Sequence, residues 1–201
     1  MTCAATECAL SALTSQLRCR KGVTIEASPV SFRRLVQSRK DTLAVNAAIC
    51  ANHTTVHYVH HADPAYHGRL DGVYEFMPPH FKQHWYNNVA MPEQALPVVC
   101  APLSAIFMKL GLKHIHFLIL DADGGELAIL MTIDFSAVHI DVLCVEQDGT
   151  NAEKDVLVRQ LLEEQGYRLK FHSGETYVDQ ISRNDWYVHA HFQPVSAPTF
   201  G

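Results

Sequence analysis

Four apolar segments of the chain each close on a side chain able to hold a polar ligand. GVTIE ends on Glu26, TLAVN on Asn46, HIHFLILD on Asp121 with Asp123 just beyond, and HIDVLCVE on Glu146. Each segment reads as a short buried strand. In sheets whose strands alternate with helices, ligands bind beyond the carboxyl ends of the strands, so these side chains are expected along one rim. A rim of acids suits ribose hydroxyls, an amino group or a metal ion, and suits phosphate poorly. Neither GxxxxGK[ST] nor GxGxxG occurs, which also disfavours a nucleoside di- or triphosphate. Asp121 to Glu126 has a plainer reading as well, a strand-to-helix turn in which Glu126 favours the helix N-terminus and the glycines permit tight geometry. Glu26 could equally be an acid that merely precedes a helix cap.

Histidine gives a second chemical signal, with 13 in the chain. His57, His60, His61, His67, His80 and His84 lie close together in sequence, but the HxxHH piece has only loose ligand spacing, and neither HExxH nor a cysteine partner accompanies it. No metal ligand is assigned on that basis, and a histidine-rich metal-binding protein stands as an alternative reading. The 6 cysteines are too sparse for a disulfide scaffold and form no CxxC pair. Free thiols are expected, with Cys100 and Cys144 as small core residues inside apolar runs.

The elements that position these groups follow from local patterns. Ser28 can cap a helix that begins at Pro29, and Phe32, Leu35 and Val36 fall on its inner face. The TLAVNAAIC strand completes a βαβ unit with a parallel sheet. HTTVHYV reads as a strand, and residues 60–96 as a long irregular insertion or lid whose aromatic content argues against full disorder. PVVCAP, a helix over LSAIFMKLGL that stops at Gly111, and the two acid-ending strands then follow. Thr150 and Glu153 make a capping box for a helix over 151–165 with Val156, Leu157, Leu161 and Leu162 as its buried stripe. YRLKFH and DWYVHAHF read as an antiparallel edge pair.

The chain has 201 residues, 48% hydrophobic and 18% charged, the balance of a soluble globular domain, and 1–201 is expected to be one domain. Its formal charge of -5 gives no electrostatic attraction to nucleic acid or anionic lipid. No apolar run approaches the ~18–20 residues of a membrane span. The segment MTCAATECALSALTSQLRCRK has no basic leader and carries Glu7 inside its apolar stretch, so a cytoplasmic location is expected.

Three segments in order carry a family resemblance. GVTIEASPVSFRRLVQSRKDTLAVNAAIC resembles the second strand, helix and third strand of FkbM-type S-adenosylmethionine-dependent methyltransferases. KHIHFLILDADGGELAILMTIDF resembles that family's fourth strand and its acidic D-x-E-G-x-E-L turn, and HIDVLCVEQDG with LLEEQGYRL its fifth strand and next helix. The resemblance covers about residues 17–192 apart from the insertion. It implies an α/β fold with a Rossmann-like methyltransferase sheet, mostly parallel with an antiparallel C-terminal edge pair. It also implies S-adenosylmethionine as cofactor and methyl transfer to a hydroxyl oxygen of a small molecule or glycan. Carried over by position, Glu26 would hold the ribose hydroxyls, Asn46 and Ala47 would lie near the adenine, and Asp121 would meet the methionine part or the acceptor. Asp123 stands at a position where the family has Glu, and Glu126 matches the motif's second acid. Asp121, Asp123 or a histidine of the insertion would serve as base; the residues alone do not choose.

One departure from the family pattern bears on the site. The first strand and glycine-rich turn that cradle the methionine end have no counterpart before residue 17, and residues 1–16 contain no glycine. Ala9, Leu10, Leu13 and Leu17 instead have helical spacing. The sheet is thus expected to be incomplete at the N-terminus, by truncation of the reading frame, by descent of a non-catalytic interaction module, or by direct pairing of the GVTIE and HIHFLILD strands. Weak or absent binding of S-adenosylmethionine is the corresponding expectation.

Overall fold

The computed structural model describes residues 2–5, 22–67, 70–122, 124–147, 152–173, 176–177, 180–181 and 183–193. β1 (Thr2–Ala5) precedes β2 (Gly22–Glu26), α1 (Pro29–Ser38) and β3 (Thr42–Asn46). The β2–α1–β3 unit forms for local reasons. The Ser28 Oγ accepts a hydrogen bond from the Ser31 N–H at 3.2 Å, and Pro29 loses no donor at the first helical position. β2 and β3 pair in parallel from Gly22 opposite Thr42 to Glu26 opposite Asn46. α1 buries no residue completely: Phe32 and Leu35 are half-covered and Val36 is exposed.

The chain continues through β4 (Ala48–Ile49), β5 (Thr54–Val59), β6 (Gly72–Val73), α2 (Pro79–Tyr86), β7 (Leu96–Ala101), α3 (Leu103–Lys109) and β8 (His114–Asp121). It ends with α4 (Glu126–Leu130), β9 (His139–Gln147), α5 (Ala152–Glu164), β10 (Tyr167–Ser173), the short pair β11 (Thr176–Tyr177) and β12 (Gln180–Ile181), and β13 (Arg183–His189). The main sheet has seven strands in the order β10-β13-β9-β8-β1-β2-β3. Within it β2/β3 and β8/β9 are parallel, whereas β1 runs antiparallel to both β2 and β8, and β13 antiparallel to both β9 and β10.

The mostly parallel, Rossmann-like sheet expected from the sequence is therefore not what forms; the sheet is mixed, and its antiparallel pairs predominate. Nor is its centre incomplete. Cys3 lies opposite Ile25 on one side and Leu120 on the other, so β2 and β8 are separated by a strand rather than paired directly. The physical reason is ladder satisfaction. Two neighbouring strands with no partner between them would each carry a row of unpaired backbone donors and acceptors, and a strand entering from the opposite direction satisfies both rows.

A second sheet is ordered β4-β7-β5-β6; β5 is the strand expected over HTTVHYV, and only the two-residue β6 lies wholly within residues 60–96, the stretch expected as an irregular insertion. β5 pairs antiparallel with β7 from Thr54 opposite Cys100 to Tyr58 opposite Leu96. Val59, Tyr74 and Tyr86 form a small buried cluster under it, against which Phe81 and Trp85 pack. The Tyr86 hydroxyl donates to the Leu70 carbonyl at 2.7 Å, the Tyr74 hydroxyl donates to the Val89 carbonyl, and burial pushes the Tyr86 phenol up to about 12. Cys50 and Cys100 form a disulfide with a Cα–Cα separation of 5.8 Å. This corrects the expectation of free thiols at both positions: β4 and β7 are parallel neighbours, and that long-range pairing brings the two cysteines together.

The principal core lies between the main sheet and α3, α4 and α5, with Leu118, Leu120, Leu143, Val145, Leu103, Ile129, Leu130, Val158 and Leu162 fully enclosed. α5 meets it through Lys154, Val158 and Leu162, while Val156 and Leu157 are exposed. The stripe expected from apolar residues alone is rotated, because a buried ion pair at Lys154 fixes which face turns inward. Thr150, expected as the cap of this helix, lies outside the described residues. Among the described residues no helix is long and apolar enough to cross a membrane.

Candidate functional site

The rim at the carboxyl ends of β2, β3 and β8 is built on one continuous backbone row. Asn46 lies opposite Glu26, Glu26 opposite Thr2, and Thr2 opposite Asp121. Residues opposite one another in a ladder project to the same face. Glu26 and Asp121 therefore share a face of the sheet with a single strand between them, at about 10 Å, twice the spacing of adjacent strands.

The two acids sit in different surroundings. Glu26 is buried, and its Oε1 accepts a hydrogen bond from the Ser28 N–H at 2.8 Å, so the turn into α1 fixes the plane of the carboxylate. Asp121 is exposed. Asn46 is drawn into the turn as well: its Nδ2 donates to the Glu26 carbonyl at 2.7 Å and to the Ala27 carbonyl at 3.3 Å. The Ala47 N–H donates to the same Glu26 carbonyl at 3.2 Å. Ala27, Ser28, Ala47 and Ala48 are all buried, and their small side chains allow a close approach to the backbone at this end of β2 and β3.

The turn after β8 is held from within. Glu126, 1% exposed, folds back so that its Oε1 accepts from the Ala122 N–H at 2.9 Å and the Gly124 N–H at 3.2 Å. Gly124 has φ of 100°, a conformation that L side chains rarely adopt. The other Glu126 oxygen, Oε2, accepts from the Lys154 ammonium at 2.8 Å. Glu126 is thus a positioning residue beneath the turn. Asp123 lies outside the described residues. Glu146, near the end of β9, is half-buried opposite Asn184 of β13.

Lys154 and Thr2 are the parts of this rim that sequence reasoning missed. Lys154 is 28 residues from Glu126, and a lysine near a helix start carries no local sign of burial. Thr2 reaches the rim only through the long-range pairing of β1. Cys144 lies near enough to Asp121 to feel its charge. Its thiol is pushed up to about 11, first by burial and then by the charges of Asp121 and Asp185, so it is a neutral core group and not a nucleophile.

The histidines of residues 57–84 are arranged differently from a ligand set. His57 Nδ1 pairs with Glu75 at 2.7 Å and His60 Nδ1 with Asp71 at 2.7 Å. Glu75 is held below the usual carboxylate range: burial opposes this but is outweighed by hydrogen bonds from the His57 backbone and ring. Two surface clefts, one lined by Phe107, Gly111, Lys113 and Val138 and the other by Arg168, Lys170 and His189, lie at the end of the main sheet opposite the acidic rim.

Comparison with known proteins adds one match. The profile of the Methyltransferase FkbM domain family covers residues 5–169, a span from the last residue of β1 into β10 that includes Glu26, Asn46, Asp121, Glu126 and Lys154 but begins after Thr2. No curated protein and no solved structure matches the chain.

Proposed function

Because the chain belongs to the FkbM methyltransferase domain family, we propose that it is an S-adenosylmethionine-dependent enzyme that methylates a hydroxyl oxygen of a small molecule or glycan. The observation that carries this reading is the shared row of Glu26 and Asp121 at one rim. The residues present fit the nucleoside end of the cofactor. A buried carboxylate whose plane is already fixed by Ser28 loses little freedom in gripping two vicinal hydroxyls, and Ala27 and Ala47 leave room for a flat base. Asn46, whose amide holds the turn, keeps that surface in shape.

S-adenosylmethionine supplies an electrophilic methyl group on sulfur when bound. What the protein adds is alignment of the acceptor and removal of its proton. Asp121, exposed on the same face as Glu26, is the base in this reading, and Asp123 is the adjacent acid of the turn. Glu126 and Lys154 hold that turn without meeting substrate. Residues 2–5, TCAA, bring no glycine to the centre of the rim, so the grip falls mainly on Glu26 and the affinity for S-adenosylmethionine is expected to be weak.

Glu26→Gln tests the reading. Ligand-observed NMR with S-adenosylmethionine at millimolar concentration is expected to show binding to the unsubstituted chain, weakened about 10-fold or more by the variant, the cost of a lost charged hydrogen bond. Equal binding by both proteins would remove Glu26 from the site.

A further inference from the structure

His114 and His139 begin β8 and β9 and lie opposite one another in the parallel ladder, at the end of the sheet away from the acidic rim. Asp141 is next but one along β9 and so projects to the same face as His139. Its carboxylate sits between the two rings, with Oδ2 at 2.9 Å from His114 Nε2 and Oδ1 at 3.1 Å from His139 Nε2. The three ligand atoms lie within 4.8 Å of one another. The carboxylate side chain is 8% exposed and the imidazoles 50% and 44%, so the charge is at the base of a shallow bowl whose mouth is open to solvent.

From this geometry we propose that His114, His139 and Asp141 bind a divalent transition-metal ion of the zinc class. Two imidazole nitrogens and one carboxylate oxygen form a donor set suited to Zn²⁺ and its neighbours, and unsuited to Ca²⁺ or Mg²⁺, which take oxygen ligands. A buried carboxylate needs a positive partner, and its ion-pair partners here are two imidazoles that carry charge only when protonated. A cation in the bowl supplies that charge while both rings remain neutral. The two nitrogen-to-carboxylate separations, 2.9 and 3.1 Å, need to open by only a few tenths of an ångström to admit an ion with bonds of about 2.0–2.2 Å. Neighbouring rings brace the set: His116 packs 4.5 Å from His114, and His189 stands edge-on 4.7 Å from His139. Three protein ligands leave the fourth position to water, so the ion is exchangeable. It clamps the starts of two parallel strands, and so stabilises the fold by mass action.

The site is independent of the methyltransferase reading and is tested with ZnCl2 and CoCl2 alone, on the full chain carrying no histidine tag. Calorimetry is expected to give one Zn²⁺ per chain, and Co²⁺ the strong visible bands of a four-coordinate ion. His114→Ala and His139→Ala, both at exposed positions where folding is not at risk, should each weaken Zn²⁺ by about 10-fold or more and abolish the Co²⁺ bands. The double variant of His80 and His84 to Ala, in α2, should leave both unchanged. The proposal is overturned if the chain takes up no Zn²⁺ at millimolar concentration. It is likewise overturned if the His114 and His139 variants bind as the parent does, or if uptake is lost with His80 and His84 instead.

Discussion

Glu126→Ala is expected to lower the unfolding free energy by about 3–5 kcal/mol, the loss that follows when one partner of a buried ion pair is removed. The size follows from where the pair lies. Glu126 and Lys154 are 1% and 8% exposed, so the deletion leaves an ammonium in the core and strips the Ala122 and Gly124 N–H groups of their acceptor. The damage spreads from packing to site, because those two amides shape the turn that follows Asp121. Glu126→Gln keeps an acceptor for the amides and removes the charge, and should fall between the parent and the alanine variant. Thermal unfolding reads the effect as a fall of roughly 10 °C for alanine, at a few degrees per kcal/mol in a chain of this size. A loss below about 1 kcal/mol, the range of a surface pair, would show that the interaction is not buried in solution.

Asp121→Asn is expected to reduce methyl transfer about 10²–10⁴-fold, the range for loss of a general base, with affinity for S-adenosylmethionine little changed. The substitution is nearly isosteric and the position exposed, so stability should be unaffected. Transfer of a labelled methyl to a panel of hydroxyl acceptors measures the first effect. Cys144 supplies a control that the charge at Asp121 is where the geometry puts it. Removing a negative neighbour favours the thiolate, so the thiol, pushed up to about 11 by burial and by Asp121 and Asp185, should titrate lower in the variant. Undiminished transfer by Asp121→Asn would move the base elsewhere on the rim.

The parts of the molecule legible in the sequence are those fixed by contacts a few residues apart. Ser28 and Pro29 announce the start of α1 because cap and first turn are adjacent, and apolar runs ending in an acid announce β2, β8 and β9. What could not be read is set by partners distant in sequence. The direction of β1 depends on ladders to residues 23–26 and 119–121; nothing in TCAA distinguishes a strand that enters one way from one that enters the other. Helical spacing in residues 1–16 gives no sign of a strand there, and it is β1, antiparallel to both β2 and β8, that separates the expected mostly parallel sheet from the mixed sheet observed. The second sheet depends on β5 finding β7 across an aromatic stretch with no steady period, and the Cys50–Cys100 link depends in turn on that sheet. The inner face of α5 is not legible in the sequence because Lys154 counts as polar by type, yet its partner Glu126 on α4 holds it buried.

The candidate site divides along the same line. Glu26, Asn46 and Asp121 were identifiable as strand-terminal groups, and the register places them in one row. Their roles were less visible: Asn46 spends its amide on the Glu26 and Ala27 carbonyls, and Glu126 faces the core. His114, His139 and Asp141 gave no motif, since the two histidines are 25 residues apart and meet only because β8 and β9 are parallel and in register.

The central claim is that Glu26 grips S-adenosylmethionine at the edge of the sheet it shares with Asp121, and an amide shift map during titration of the labelled chain with that cofactor tests it most directly. The expected result is a set of perturbed amides confined to residues 26–28, 46–47 and 121–125, with the residues around His114 and His139 unmoved. Shifts concentrated at the opposite end of β8 and β9, or none at millimolar cofactor, would contradict it.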